Sequence, residues 1–207
     1  MFSKTRLIIA GVIVLLLVVV FDQIRRQPGP DEEMQNDATQ SIVVDKKTQQ
    51  HAVKEWKEFH APLGAFQVLL PALPQHAQES VALPSGRGLI TYEMYLAQDG
   101  DGSAYMISLV QYPQGFDTSN ARELLQGVKQ EMVQANPKNI LKEDRSGQFQ
   151  LYPALDFLIE NNGIYIRSTC FLAGKTLYVL TMIDSSLSSL PPRFEKFAQS
   201  FKIGDGN

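Results

Sequence analysis

A single cysteine, Cys170, stands in a chain of 207 residues. No intrachain disulfide can form, which excludes a small disulfide-stapled scaffold. Histidine is almost as scarce: His51, His60 and His76 share no metal-ligand spacing, and each is expected in a tether or loop as a solvated imidazole. A formal net charge of −3 lacks the basic excess that nucleic-acid binding requires. Neither the nucleophile-elbow pattern of a serine hydrolase nor the paired-histidine pattern of a zinc protease occurs. There is no internal repeat. Cys170 lies inside an apolar alternating run, which reads as a buried, inert thiol rather than a nucleophile.

The most distinctive feature present is the run from Leu7 to Phe21, LIIAGVIVLLLVVVF, behind a short basic tail (residues 1–6) holding Lys4 and Arg6. At about 1.5 Å per residue this apolar stretch falls short of the roughly 30 Å hydrocarbon core of a bilayer. Phe2 and Ile24 extend it if Lys4, Arg6 and Asp22 reach outward to the headgroups. The flank VVVFDQIRRQPGP has no small-residue cleavage site and no lipidation cysteine. Residues 7–24 are therefore expected to form an uncleaved transmembrane anchor, with Leu7, Ile8, Ile9, Val12, Ile13, Leu15, Leu16, Leu17, Val18 and Phe21 facing lipid. Lys4 and Arg6 on one side tie with Arg25 and Arg26 on the other. Asp22, Asp31, Glu32 and Glu33 tilt the expected orientation towards an extracytoplasmic domain on a single-pass cell-membrane protein, periplasmic in a Gram-negative host.

Residues 25–52 read as a flexible tether, rich in Gln, Asn, Asp, Thr and Ser around a Pro28-Gly29-Pro30 turn. The globular domain is expected over 53–204. Its opening is ambiguous, because Val53, Trp56 and Phe59 suit either a helix or the lead-in to a strand. Strands are expected at AFQVLL, AQESVAL, GLITYEMYLAQ and SAYMISLVQY, the last two joined by a hairpin at Asp99-Gly100-Asp101-Gly102. Asn120 with Glu123 makes a capping box for a helix whose apolar stripe runs through Ala121, Leu124, Leu125, Val128, Met132 and Ala135. FQLYPALDFLIE, IYIRSTCFLA and TLYVLTMI then form a meander with turns at Asn162-Gly163 and Gly174-Lys175. A last helix begins near Pro191-Pro192 and carries Phe194, Phe197, Ala198 and Phe201 on one face. Hairpins punctuated by two helices give an α+β order, an antiparallel β-sheet flanked by helices and preceded by one transmembrane helix.

The candidate chemical motifs dissolve on inspection. Gly174-Lys175-Thr176 ends like a phosphate loop, but Thr169 stands where that loop needs its first glycine, and a strand follows instead of a helix. It reads as a hairpin turn with Gly174 at positive φ. Asp99-Gly-Asp-Gly fails as a calcium loop because Ala104 and Val110 stand where glycine and a bidentate Glu are required. Gly86-Arg87-Gly88 lacks a third glycine and reads as a lead-in to a strand. Asp156 and Glu160 share one face of a strand, yet read as structural acids. Tyr92, Tyr95, Tyr105, Tyr112, Tyr165 and Tyr178 read as sheet-packing residues. No catalytic residue, cofactor site or metal site is expected.

Several local patterns resemble PsbP-like domains, a group that includes DcrB-like bacterial envelope proteins. They are Gly64-Ala-Phe-Gln-Val-Leu-Leu-Pro71 with Pro74, Tyr105 to Pro113 before the helix, Arg167 with Phe171 to Tyr178, and Phe194, Phe197, Ser200, Phe201 and Ile203 at the end. The resemblance spans about residues 55–203. It implies an α-β-α sandwich whose members act mostly by binding proteins. The expected function is a non-catalytic, membrane-tethered protein-binding or assembly module of the cell envelope, with the membrane and another protein as partners and no nucleic acid. Two rivals remain. One is a chaperone or adaptor for transmembrane segments of another protein, as in EagR-like relatives. The other is an enzyme whose site is assembled from distant residues.

Overall fold

The computed structural model of the chain describes residues 55–83 and 88–204. The expected anchor (7–24), the tether (25–52, with His51), Val53 and both Gly86 and Arg87 lie outside the described residues. Among those described, no helix is long and apolar enough to cross a membrane.

The strands are β1 (Lys57–His60), β2 (Phe66–Leu70), β3 (Gln75–Ala82), β4 (Leu89–Gln98), β5 (Ala104–Gln111), β6 (Ile140–Phe149), β7 (Tyr152–Asn161), β8 (Ile164–Ala173), β9 (Thr176–Asp184) and β10 (Lys202–Ile203). Helix α1 covers Ala121–Gln134 and α2 covers Leu190–Ser200. A seven-stranded antiparallel sheet has the order β3-β4-β5-β9-β8-β7-β6, and a three-stranded one the order β1-β2-β10.

Both faces of the large sheet are buried over its centre, which explains why β5 and β9 read as unbroken apolar runs rather than alternating ones. Along β5, Met106 and Val110 join the core beneath α1, while Tyr105, Ile107 and Leu109 join the core beneath α2. Helix α1 starts where the capping box puts it: Asn120 Oδ1 accepts the Glu123 backbone N–H at 3.2 Å, and its Nδ2 donates to Glu123 Oε2 at 2.9 Å. Leu125, Val128 and Met132 are the residues it buries. Helix α2 starts without a side-chain cap, and prolines near its start reduce the number of N–H groups left without partners. It buries Leu190, Phe194, Phe197 and Ala198. Phe201 then leaves the helix in extended conformation (φ −71°, ψ 130°) and drops its ring into a cluster with Phe66, Phe149, Phe171 and Tyr178. These aromatic contacts join β10, the small sheet and the large sheet in one core.

The α+β expectation of an antiparallel sheet with flanking helices holds, with three corrections. The choice left open at the start of the domain resolves as a strand, with residues 57–60 paired to β2. The segment FQLYPALDFLIE is two strands: Gln150 adopts φ 55°, and the chain turns between Phe149 and Tyr152. Strand β6, ILKEDRSGQF, was not expected at all, since as an edge strand it is exposed almost throughout and shows no apolar alternation. The second covering layer is α2 together with the three-stranded sheet, not a helix alone.

Candidate functional site

Helix α2 packs mainly on β2, β8 and β9, and among the described residues it packs far less on β6 and β7. Ala154 and Leu158 of β7 belong to the α2-side core. The two-residue period of a strand therefore puts Asp156 and Glu160 on the same face. Direct cross-strand neighbours share a face too, so register assembles two adjacent rungs. One runs Glu143–Leu158–Arg167 and the next Arg145–Asp156–Thr169, each from β6 through β7 to β8.

The first of these rungs is closed. Arg167 Nη1 lies 2.9 Å from Glu143 Oε2, and since both residues flank Leu158, the ion pair passes over β7 and roofs that leucine. Leu158 beneath it is buried and belongs to the α2-side core. Beside it, the bulge between Leu141 and Glu143 brings Lys142 Nζ to 3.1 Å from Glu160 Oε2. The Arg145 rung is open. Asp156 accepts a hydrogen bond from the Thr169 hydroxyl on β8 and so turns away from Arg145, its direct neighbour on β6. No acid among the described residues lies within ion-pair distance of Arg145. A groove of about 420 Å³ lies here, lined by Lys142, Glu143, Asp144, Arg145, Asp156 and Arg167. On the opposite face Asp144 pairs with Lys129 of α1, so its charge is taken. The groove therefore presents one open guanidinium next to one carboxylate.

A second polar cluster fastens α2. Arg193 places its guanidinium 3.0 Å from Asp99, 2.6 Å from Asp101 and 3.3 Å from Asp184, with Ser103 Oγ at 2.9 Å. The Asp99-Gly-Asp-Gly hairpin is a turn, as expected, and its carboxylates already hold a cation, the guanidinium of Arg193. Burial would raise the Asp101 pKa, but the Ser103 amide and the Arg193 guanidinium outweigh it and hold this carboxyl below its ordinary value. Arg193 is raised in turn: burial disfavours its charge, and the hydrogen bond to Asp101 and the surrounding negative groups overcome that.

The remaining expectations resolve individually. Gly174 has φ 60° in the β8–β9 turn, and Lys175 Nζ donates to Phe116 O at 2.7 Å and Thr118 Oγ1 at 3.2 Å. The lysine that suggested a phosphate loop thus ties that turn to the loop before α1. Cys170 is fully buried, with Sγ 3.6 Å from the Leu155 carbonyl oxygen, and burial pushes its thiol up. Asp156 and Glu160 share a face, but one serves Thr169 and the other Lys142. His60 and His76 are on strands rather than in loops: His60 lies 3.6 Å from Glu58, while the His76 ring stacks on Tyr95 at 4.4 Å with Glu93 3.4 Å away. Tyr92, Tyr95, Tyr105, Tyr112 and Tyr178 are buried, and burial raises the phenol of Tyr92 to about 12. Tyr165 is half-buried. Gly88 has φ 112° and leads into β4. Among the described residues, no group of three or more His, Cys, Asp and Glu side chains is arranged to hold a metal ion.

Sequence reasoning missed Arg145 and Arg193. Arg145 needed the unexpected strand β6 to acquire a face. Arg193 needed the chain-distant hairpin (92 residues away at Asp101) to acquire partners. No local signal marks either.

No protein-family model matches the chain, and no curated protein matches it. Among solved structures, it is similar to the solution structure of cyanobacterial PsbP (CyanoP) from Synechocystis sp. PCC 6803. The two share 10% sequence identity with a TM-score of 0.44, over 74% of this chain and 95% of that one.

Proposed function

We propose that the chain is a non-catalytic protein-binding or assembly module of the cell envelope, a PsbP-like domain held to the cell membrane by residues 7–24 through the tether at 25–52. The domain lies on the extracytoplasmic side, in the periplasm of a Gram-negative host. The observation that carries the reading is the open groove across β6 and β7, lined by charged side chains on neighbouring strands. Its surroundings support the same reading. The one thiol is sealed, and the acids Asp99, Asp101 and Asp184 are engaged by a structural arginine. The charged character of the open face favours a polar protein partner over the apolar groove that a chaperone for transmembrane segments would present.

The experiment has two readouts on intact membranes. Carbonate extraction with protease treatment of spheroplasts tests the anchor: retention in the membrane and accessibility of the domain from outside are expected. Release by carbonate, or loss of the apolar segment from the mature chain, would overturn the tethered reading. Crosslinking in the same membranes is expected to recover a specific protein partner, and recovery of none would overturn the binding reading.

A further inference from the structure

We infer that the open rung Arg145–Asp156 is the recognition element of that binding face, and that it takes an extended peptide segment presenting a carboxylate and an ammonium on one side. The inference rests on the protein-binding reading and specifies the chemistry of the partner. Three features of the rung point to this ligand.

First, the neighbouring charges are satisfied within the fold and the rung is not. Glu143 is answered by Arg167, Lys142 by Glu160 and Asp144 by Lys129, while among the described residues nothing pairs with Arg145. Second, the free charges come as a pair of opposite sign. Arg145 and Asp156 are direct cross-strand neighbours, so their side chains leave the sheet about 5 Å apart on the same face. Asp156 spends Oδ1 on the Thr169 hydroxyl, which leaves Oδ2 for a ligand. Third, the spacing suits a strand. Side chains at i and i+2 of an extended segment leave the same face about 7 Å apart, so a Glu and a Lys placed so reach Arg145 and Asp156 together. A guanidinium takes the carboxylate through two parallel N–H···O bonds, and this geometry selects carboxylate over a simple point anion. A purely acidic segment would meet Glu143 and Asp156, and a purely basic one Lys142 and Arg145. Charge complementarity therefore selects the mixed segment.

The test titrates the full-length chain with a short Thr- and Val-rich peptide carrying one Glu and one Lys at i and i+2, followed by fluorescence anisotropy. Matched peptides with two Glu or two Lys residues serve as controls. Saturable binding of the mixed peptide is expected, weakened about tenfold or more by Arg145→Gln and further by Arg145→Glu. Arg145 is exposed, and both variants are expected to keep the thermal midpoint of the parent. Equal binding of all three peptides, or binding unaffected by Arg145→Glu, would overturn the inference. A partner crosslinked in membranes whose yield is the same in Arg145→Glu would overturn it too, while leaving the protein-binding reading intact.

Discussion

Replacing Arg193 with alanine removes the contact that fastens α2 to the far hairpin, and the cost can be worked out from its surroundings. The Arg193 side chain is 22% exposed, and its partners range from Asp184 at 6% through Asp99 at 21% to Asp101 at 55%. Alanine deletes one charge and leaves three carboxylates converging, one of them almost wholly out of water. Removing one partner of a buried pair costs about 3–5 kcal/mol, and of an exposed pair about 0.2–1 kcal/mol. With one partner buried and another half exposed, the expected loss is about 2–4 kcal/mol. For a domain of about 150 residues that corresponds to a thermal midpoint lower by roughly 6–12 °C. Urea denaturation of parent and variant reads the same loss as a shift in midpoint at unchanged slope. Acid supplies an independent check. A carboxyl whose folded pKa is depressed stabilises the fold above its unfolded pKa and loses that contribution as pH falls through the folded value. The Asp101 contribution is thus expected to fade below about pH 4, and Arg193→Ala should lack that part of the acid dependence. An Arg193→Ala variant within about 0.5 kcal/mol of the parent would refute the assignment of this cluster as the fastening of α2.

Two further substitutions test the core and the turns. Phe201→Ala is expected to cost about 3–5 kcal/mol in chemical denaturation, because its fully buried ring is shared by Phe66, Phe149, Phe171 and Tyr178; a loss below about 1 kcal/mol would contradict the shared core. Gly174→Val forces a β-branched residue to φ 60°, at an expected cost of about 1–2 kcal/mol in the same assay, and no loss of stability would contradict the left-handed turn.

Where local chemistry determines structure, the elements were legible in the chain. Asn120 with Glu123, the Asp99–Gly102 hairpin and the Gly174 turn each carry their cause within a few residues, and each stands where expected. Strand β6 has no such cause. It is stabilised by pairing with β7 on one side only, and the charges of Lys142, Glu143, Asp144 and Arg145, with a bulge, blunt the free edge that a partnerless strand would otherwise offer. The same property hid the candidate site. Asp156 was visible as a strand acid, but its neighbour Arg145 is 11 residues away across a turn that the chain's reading as a single FQLYPALDFLIE strand erased. The order of the sheet was likewise beyond local reading, since β9 inserts between β5 and β8 after an excursion through α1 and three strands.

Binding of a protein through the charged β6–β7 groove, proposed for a membrane-tethered chain, is open to direct measurement. The most direct measurement installs a photocrosslinking residue at position 145 and, as a control, at the exposed position 195 on α2, in the full chain in its native membrane. A discrete covalent protein adduct from position 145 and none from position 195 is the predicted result. No adduct at 145, or the same adducts from both positions, would contradict the account.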